Sequence, residues 1–319
     1  MKPRSLGGVL LKRLGGGLVS LFFLVLVTFI VDELAPGDAA TYMAGEKATP
    51  AQVEQIRRNM GLDRPAPIRF FEYMGKTLRG DLGSSIAGAK EPVTQVIARA
   101  LPMTIMIALP AILFAALAGI FLGTLAAINS GKSLDQGILA FSTLGVTLPN
   151  FVLAPILVFI FAVKMDQLPT TWETTLRAPL IYYLILPVLV LSARPAASLT
   201  RLTRAAMVEV LAQEFIKLAV AKGVPPLRLI LVHGLKNALL PVITAIGTSF
   251  GFLLTGSFIV ETIFVMPGMG FTAIDAIQRN DTPILMGCVL ATGALFILVN
   301  LAVDLVMPIL DPRVREATA

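Results

Sequence analysis

The chain has 319 residues, of which 56% are hydrophobic and only 14% charged. Soluble domains carry roughly 25% charged residues, so this chain lacks the polar surface to cover a water-soluble globule, and its long apolar runs point to lipid as the solvent. The formal net charge is +6, but the basic residues sit at the ends of apolar runs; that pattern fits anionic lipid and the positive-inside rule and argues against nucleic acid, which calls for a basic face with exposed aromatics.

The first apolar run extends from about Leu14 to Val31, after Lys2, Arg4, Lys12 and Arg13. At about 18 residues it exceeds the apolar core of a signal peptide, and further spans follow. It therefore predicts an uncleaved helix with its basic side in the cytoplasm. The segment from about Leu34 to Arg99 is polar, nearly charge-balanced and rich in Gly and Pro, which predicts a small extracytoplasmic subdomain. Within it a short helix is expected over Ala51 to Met60, with Thr49 as cap, Pro50 in the first turn and Gly61 as stop.

Further spans are predicted at about Leu101 to Ile128, Gly137 to Val163, Pro179 to Leu199, Ala238 to Val260 and Pro283 to Val306. Lys132 and Asp135 lie in a short loop expected in the cytoplasm. The loop from Lys164 to Arg177 holds the only tryptophan, Trp172, a residue type favoured at the interface. Arg194-Pro195 interrupts the fourth run, so one span there is open to question. Cys288 is the only cysteine and reads as a small buried apolar residue. The fold expected is an all-α integral membrane protein of about six transmembrane helices with both termini inside. Its parts are a first helix with an extracytoplasmic region (1–99), a transmembrane domain (100–310) with a cytoplasmic loop at about 201–237, and a cytoplasmic tail (311–319).

That loop is the longest and most basic, with Arg201, Arg204, Lys217, Lys222, Arg228 and Lys236 against Glu209 and Glu214. Its core, QEFIKLAVAKGVPPLRLILVHGLKNALLP, reads as a short helix, a turn at Gly223 with Val224-Pro225-Pro226, and a second helix entering the membrane. Glycine suits a helix C-terminus and the prolines forbid simple continuation. The result is a stiff elbow suited to receiving force from a soluble partner.

The elbow resembles the "EAA" loop of binding-protein-dependent ABC importer permeases, and most closely the dipeptide/oligopeptide/nickel class. The matching residues are Ala219, Ala221, Lys222 and Gly223, then His233, Leu235, Asn237, Ala238, Leu239 and Pro241. The Glu-Ala pair that names the motif is replaced by Lys217-Leu218, which looks usual for the peptide class. Other matching runs are Leu34 to Asp38, Gly61 to Pro65, Arg79 to Gly83, Arg201 to Arg204, Glu261 to Phe264, Pro267 to Gly270 and Asp311 to Arg315. The resemblance implies a type I importer permease fold paired with a homologous second permease. It also implies two cytoplasmic ATPases, which carry the ATP and Mg, and an extracytoplasmic binding protein. Peptides are the substrates it suggests first, with nickel chelates, glutathione or other small solutes as alternatives.

No catalytic or metal site is expected. His233 is the only histidine, and zinc needs three or four ligands, so it reads as a packing and hydrogen-bonding residue. Gly131-Lys132-Ser133 and Gly83 to Lys90 imitate phosphate loops, but neither carries the full motif between a strand and a helix. Arg194 stands out, because an intramembrane charge costs about 2.5–3.5 kcal/mol on insertion scales. Either it faces the translocation path and meets an anionic substrate group, or its helix ends early and it snorkels to the interface. The competing function is an ion-coupled secondary transporter, which would need ionisable residues near the midplane; an intramembrane enzyme would need a catalytic constellation within the spans.

Overall fold

The computed structural model describes residues 6–34, 39–44, 48–59, 61–87, 90–173 and 178–310. Lys2, Arg4, Ala35 to Asp38, Arg177 and the tail with Arg313 and Arg315 lie outside the described residues. The helices are α1 (Leu6–Leu34), α2 (Ala39–Ala44), α3 (Pro50–Asn59), α4 (Ala66–Leu78), α5 (Val93–Ile128), α6 (Ser133–Thr147), α7 (Asn150–Leu157), α8 (Leu180–Leu211), α9 (Glu214–Ala221), α10 (Pro226–Arg228), α11 (Lys236–Ile263), α12 (Met269–Gln278) and α13 (Thr282–Leu310). Wide-turn π-helical segments, Val158–Lys164 and Leu229–Leu235, extend α7 and α10.

Five of these helical stretches are long and apolar enough to cross a bilayer, and α6 with the α7 arm makes a sixth if counted as one span. The third apolar run is therefore not one straight helix: its halves meet at 107°. Pro149 explains the break, since the residue before a proline is pushed out of the helical region, and Leu148 is extended at φ −76°, ψ 117°. The fourth run behaves oppositely. Arg194-Pro195 does not end it, and α8 continues through both Pro187 and Pro195 to Leu211. A membrane helix tolerates proline where neighbouring groups satisfy the freed carbonyl.

The chain divides into two compact units. One comprises Leu14–Thr104 and Pro267–Leu298. Here α3 begins with a reciprocal cap: the Thr49 N–H donates to Gln52 Oε1 at 2.8 Å, and the Gln52 N–H to Thr49 Oγ1 at 3.4 Å. This is a capping box, and Gly61 at φ +68° closes the helix as expected. Helix α4 packs on α1 through Phe70, whose ring meets Phe22 and Phe29 edge-on at 6.0 and 5.5 Å. Arg69 grips Glu33 with two hydrogen bonds of 3.1 and 2.6 Å. Buried Asp281 caps α13 through the Ile284 N–H at 3.4 Å and also accepts Ser85 Oγ and the Ala87 N–H.

The other unit comprises Ile105–Met266 with the flanking segments Met1–Arg13 and Val299–Ala319. Its helices approach closely through small residues, as membrane helices do. A methyl group added at Gly123 of α5 would lie 2.6 Å from the Thr200 carbonyl oxygen, and one at Gly145 of α6 would lie 3.0 Å from Ala197 Cβ, both on α8. Farther along, Asp135 in the first turn of α6 is 2% exposed and bound by Arg204 of α8, Nε to Oδ1 at 2.5 Å and Nη2 to Oδ2 at 2.7 Å. The Gly131 N–H adds a third bond to Oδ2 at 2.9 Å. Trp172 is half-buried, meets Tyr183 edge-on at 5.8 Å, and its backbone N–H donates to the Phe264 carbonyl at 2.8 Å.

Candidate functional site

The elbow between α8 and α11 forms the helix, turn and second helix that the sequence predicts, and the turn is closed by local hydrogen bonds. Helix α9 ends in a double carbonyl cap: the Gly223 N–H donates to Val220 O at 2.9 Å and the Val224 N–H to Ala219 O at 3.1 Å. This Schellman arrangement needs a left-handed residue after the helix, and Gly223 supplies it at φ +74°. Pro226 then opens the next helix, where its missing N–H costs nothing.

Helix α9 is amphipathic. Ile216 and Ala219 are buried against the molecule, whereas Phe215, Leu218 and Val220 are 44%, 55% and 57% exposed. Beyond the turn Leu227 and Leu231 are exposed as well, as are Lys217, Ala221, Lys222 and Arg228, with Lys217 paired to the exposed Glu214 at 2.8 Å. A side chain on Gly223 would point into open space.

The second arm anchors the elbow. Leu235 packs on a cluster of Ala127, Met207 and Ala238. His233 is half-buried in the π-helical segment, and Asn237 Nδ2 donates to its carbonyl oxygen at 2.7 Å. π-Helical turns leave carbonyls less well paired and often mark functional positions. The His-x-Leu-x-Asn spacing therefore has a direct meaning: Asn237 stands one turn on and covers that carbonyl.

Arg194 lies elsewhere in this unit, on a hollow of about 540 Å³ between α7, α8 and α11. Asn150, Ser198, Ser249 and Thr255 supply polar groups, and Phe252 and Leu253 an apolar wall. Among the described residues no carboxylate pairs with Arg194. The reading in which its helix ends early is overturned, because α8 runs on to Leu211. The sequence reading missed the four polar neighbours. Ser198 was findable, since it stands four residues after Arg194 on the same helical face; Asn150, Ser249 and Thr255 come from other helices and carry no such signal. Among the described residues no group of three or more His, Cys, Asp or Glu is placed to hold a metal ion.

Two family models match the chain. The model of the binding-protein-dependent transport system inner membrane component covers residues 119–316, and the model of the N-terminal part of such components covers residues 8–108. The chain is an inner-membrane permease of that family. The permease is 36% identical over 313 residues to the "Probable peptide ABC transporter permease protein y4tP" of Sinorhizobium fredii, spanning 97% of this chain and 100% of that one. It is 37% identical over 305 residues to the "Glutathione transport system permease protein GsiC" of Pectobacterium atrosepticum, spanning 96% and 98%. Its fold matches a chain of the MetNI methionine ABC transporter in inward-facing form, with a TM-score of 0.58 at 15% identity over 68% of this chain and 97% of that one. The permease is thus a multi-pass transport subunit of an ABC importer, and ATP hydrolysis belongs to separate subunits.

Proposed function

We propose that the permease forms half of the translocation path of a peptide importer. A homologous permease supplies the other half, two cytoplasmic ATPases bind ATP and Mg, and an extracytoplasmic binding protein delivers the solute. The names of the relatives support this choice, one being called a peptide permease and the other a glutathione permease. Both termini and the basic elbow at 201–237 face the cytoplasm in this reading, as the distribution of Lys and Arg favours. Residues 1–99 supply the first helix and an extracytoplasmic region, 100–310 the transport domain and 311–319 a short tail.

Ala221, Lys222 and Gly223 form the surface that an ATPase grips, Ala219, which is buried, seats α9 and accepts the Val224 cap bond behind that surface, and His233, Leu235 and Asn237 fix the elbow to the membrane helices. The observation that carries the assignment is the locked end of α9 beside an outward apolar face. Arg194 receives an anionic group of the solute. Peptides and glutathione both carry carboxylates, and a guanidinium binds a carboxylate through paired hydrogen bonds.

Gly223→Arg tests the elbow. Its side chain meets open space, so the variant pays only the left-handed backbone, about 1–2 kcal/mol, and still inserts. The expected result is loss of ATPase co-purification from membranes holding normal amounts of permease. Co-purification at the parent's level would remove the proposed role.

A further inference from the structure

The Asp135–Arg204 pair has no part in the solute hollow or in the outer face of the elbow. Its position suggests a task. Arg204 lies on α8 ten residues before α9 begins at Glu214, so it stands near the point where force from the elbow would enter the membrane helices. Asp135 begins α6, and α6 leads through the bend at Leu148-Pro149 to Asn150, which lines the hollow with Arg194.

Helices α6 and α8 already touch through Gly145 and Ala197. The ion pair adds a second attachment at the far end of α6, and two separated attachments stop one helix pivoting on the other. Its chemistry suits registry more than bulk stability. The pair is partly buried, with Asp135 2% and Arg204 25% exposed; such a pair recovers little net energy against desolvation but is strict about geometry, and Arg204 makes a two-toothed grip while the Gly131 N–H adds a third bond to the carboxylate.

Resting on the coupling role of the elbow, we propose that Asp135 and Arg204 are positioning residues that make α6 and α8 one lever. Displacement of α9 by an ATPase then reaches Asn150 as well as Arg194, and a signal from the binding protein returns along the same route. Without the grip α8 still moves, but α6 lags and the two ends of the transporter lose contact.

The test uses the complete complex of both permeases and ATPases in nanodiscs. The cognate binding protein is added as purified with its own ligand, and the readout is the ratio of stimulated to basal ATP hydrolysis. Arg204→Gln and Asp135→Asn are expected to lower the stimulation factor at least threefold while the ATPases still co-purify at the parent's stoichiometry. The double variant should fall no further than either single one, as for two residues acting as one unit. Arg204→Lys, which keeps the charge but not the fork, should also lose stimulation, and it decides the matter if the neutral variants fail to accumulate. A parent-like factor in assembled Arg204→Lys would overturn the lever. Failure of the elbow reading looks different, because Gly223→Arg would then retain its ATPases whatever Arg204 does.

Discussion

At the residue scale the permease separates positions that share a composition but not a task. Arg194 and Arg204 are both arginines on α8, yet Arg204 is committed to Asp135 whereas Arg194 looks onto a polar hollow. Arg194→Gln is therefore expected to reduce import of carboxylate-bearing peptides about tenfold, on the ~1.5 kcal/mol of a hydrogen bond to a charged group, and to leave the complex assembled. Initial uptake rates of a labelled peptide into proteoliposomes check this, and rates equal to the parent's for every peptide tried would refute it. The odd placement of Arg194 was legible in the sequence, because a charge inside an apolar run is costly. The Asp135–Arg204 contact was not, since the two residues are far apart in the chain and each also fits an ordinary solvated loop.

At the element scale, local rules carried well where the signal is local. The Thr49 cap, the Gly61 stop and the turn at Gly223 all form where the residues imply, because capping depends on neighbours within one turn. Proline was read less well. Pro149 and Pro195 are the same residue type, but Pro149 follows an extended Leu148 and breaks the run, while Pro195 is absorbed into α8. Which outcome occurs depends on packing that a single run does not encode. The close approach of α5 to α8 is likewise tertiary. Gly123→Leu should destabilise the permease by about 1–3 kcal/mol or more, the range for overpacking a filled site, because its first carbon would meet backbone at 2.6 Å. Gly137→Leu, whose site is open, serves as the control. Thermal unfolding in detergent compares the two, and equal melting temperatures would contradict the packing described.

At the scale of the whole molecule we propose that the permease is a converter of motion. Its described features are the capped elbow at Gly223, long membrane helices and the hollow beside Arg194. The helical membrane architecture was legible from hydropathy and the family from the elbow motif, whereas the 107° bend and the polar lining of the hollow emerge only when the helices are packed. The account depends on the elbow lying inside the cell beneath an ATPase. The only native cysteine, Cys288, is buried, so Lys222→Cys offers a clean target for a membrane-impermeant maleimide. The expected result is labelling in inside-out vesicles stripped of ATPases, protection when the ATPases are restored, and no labelling of intact spheroplasts. Labelling of intact spheroplasts would contradict the account.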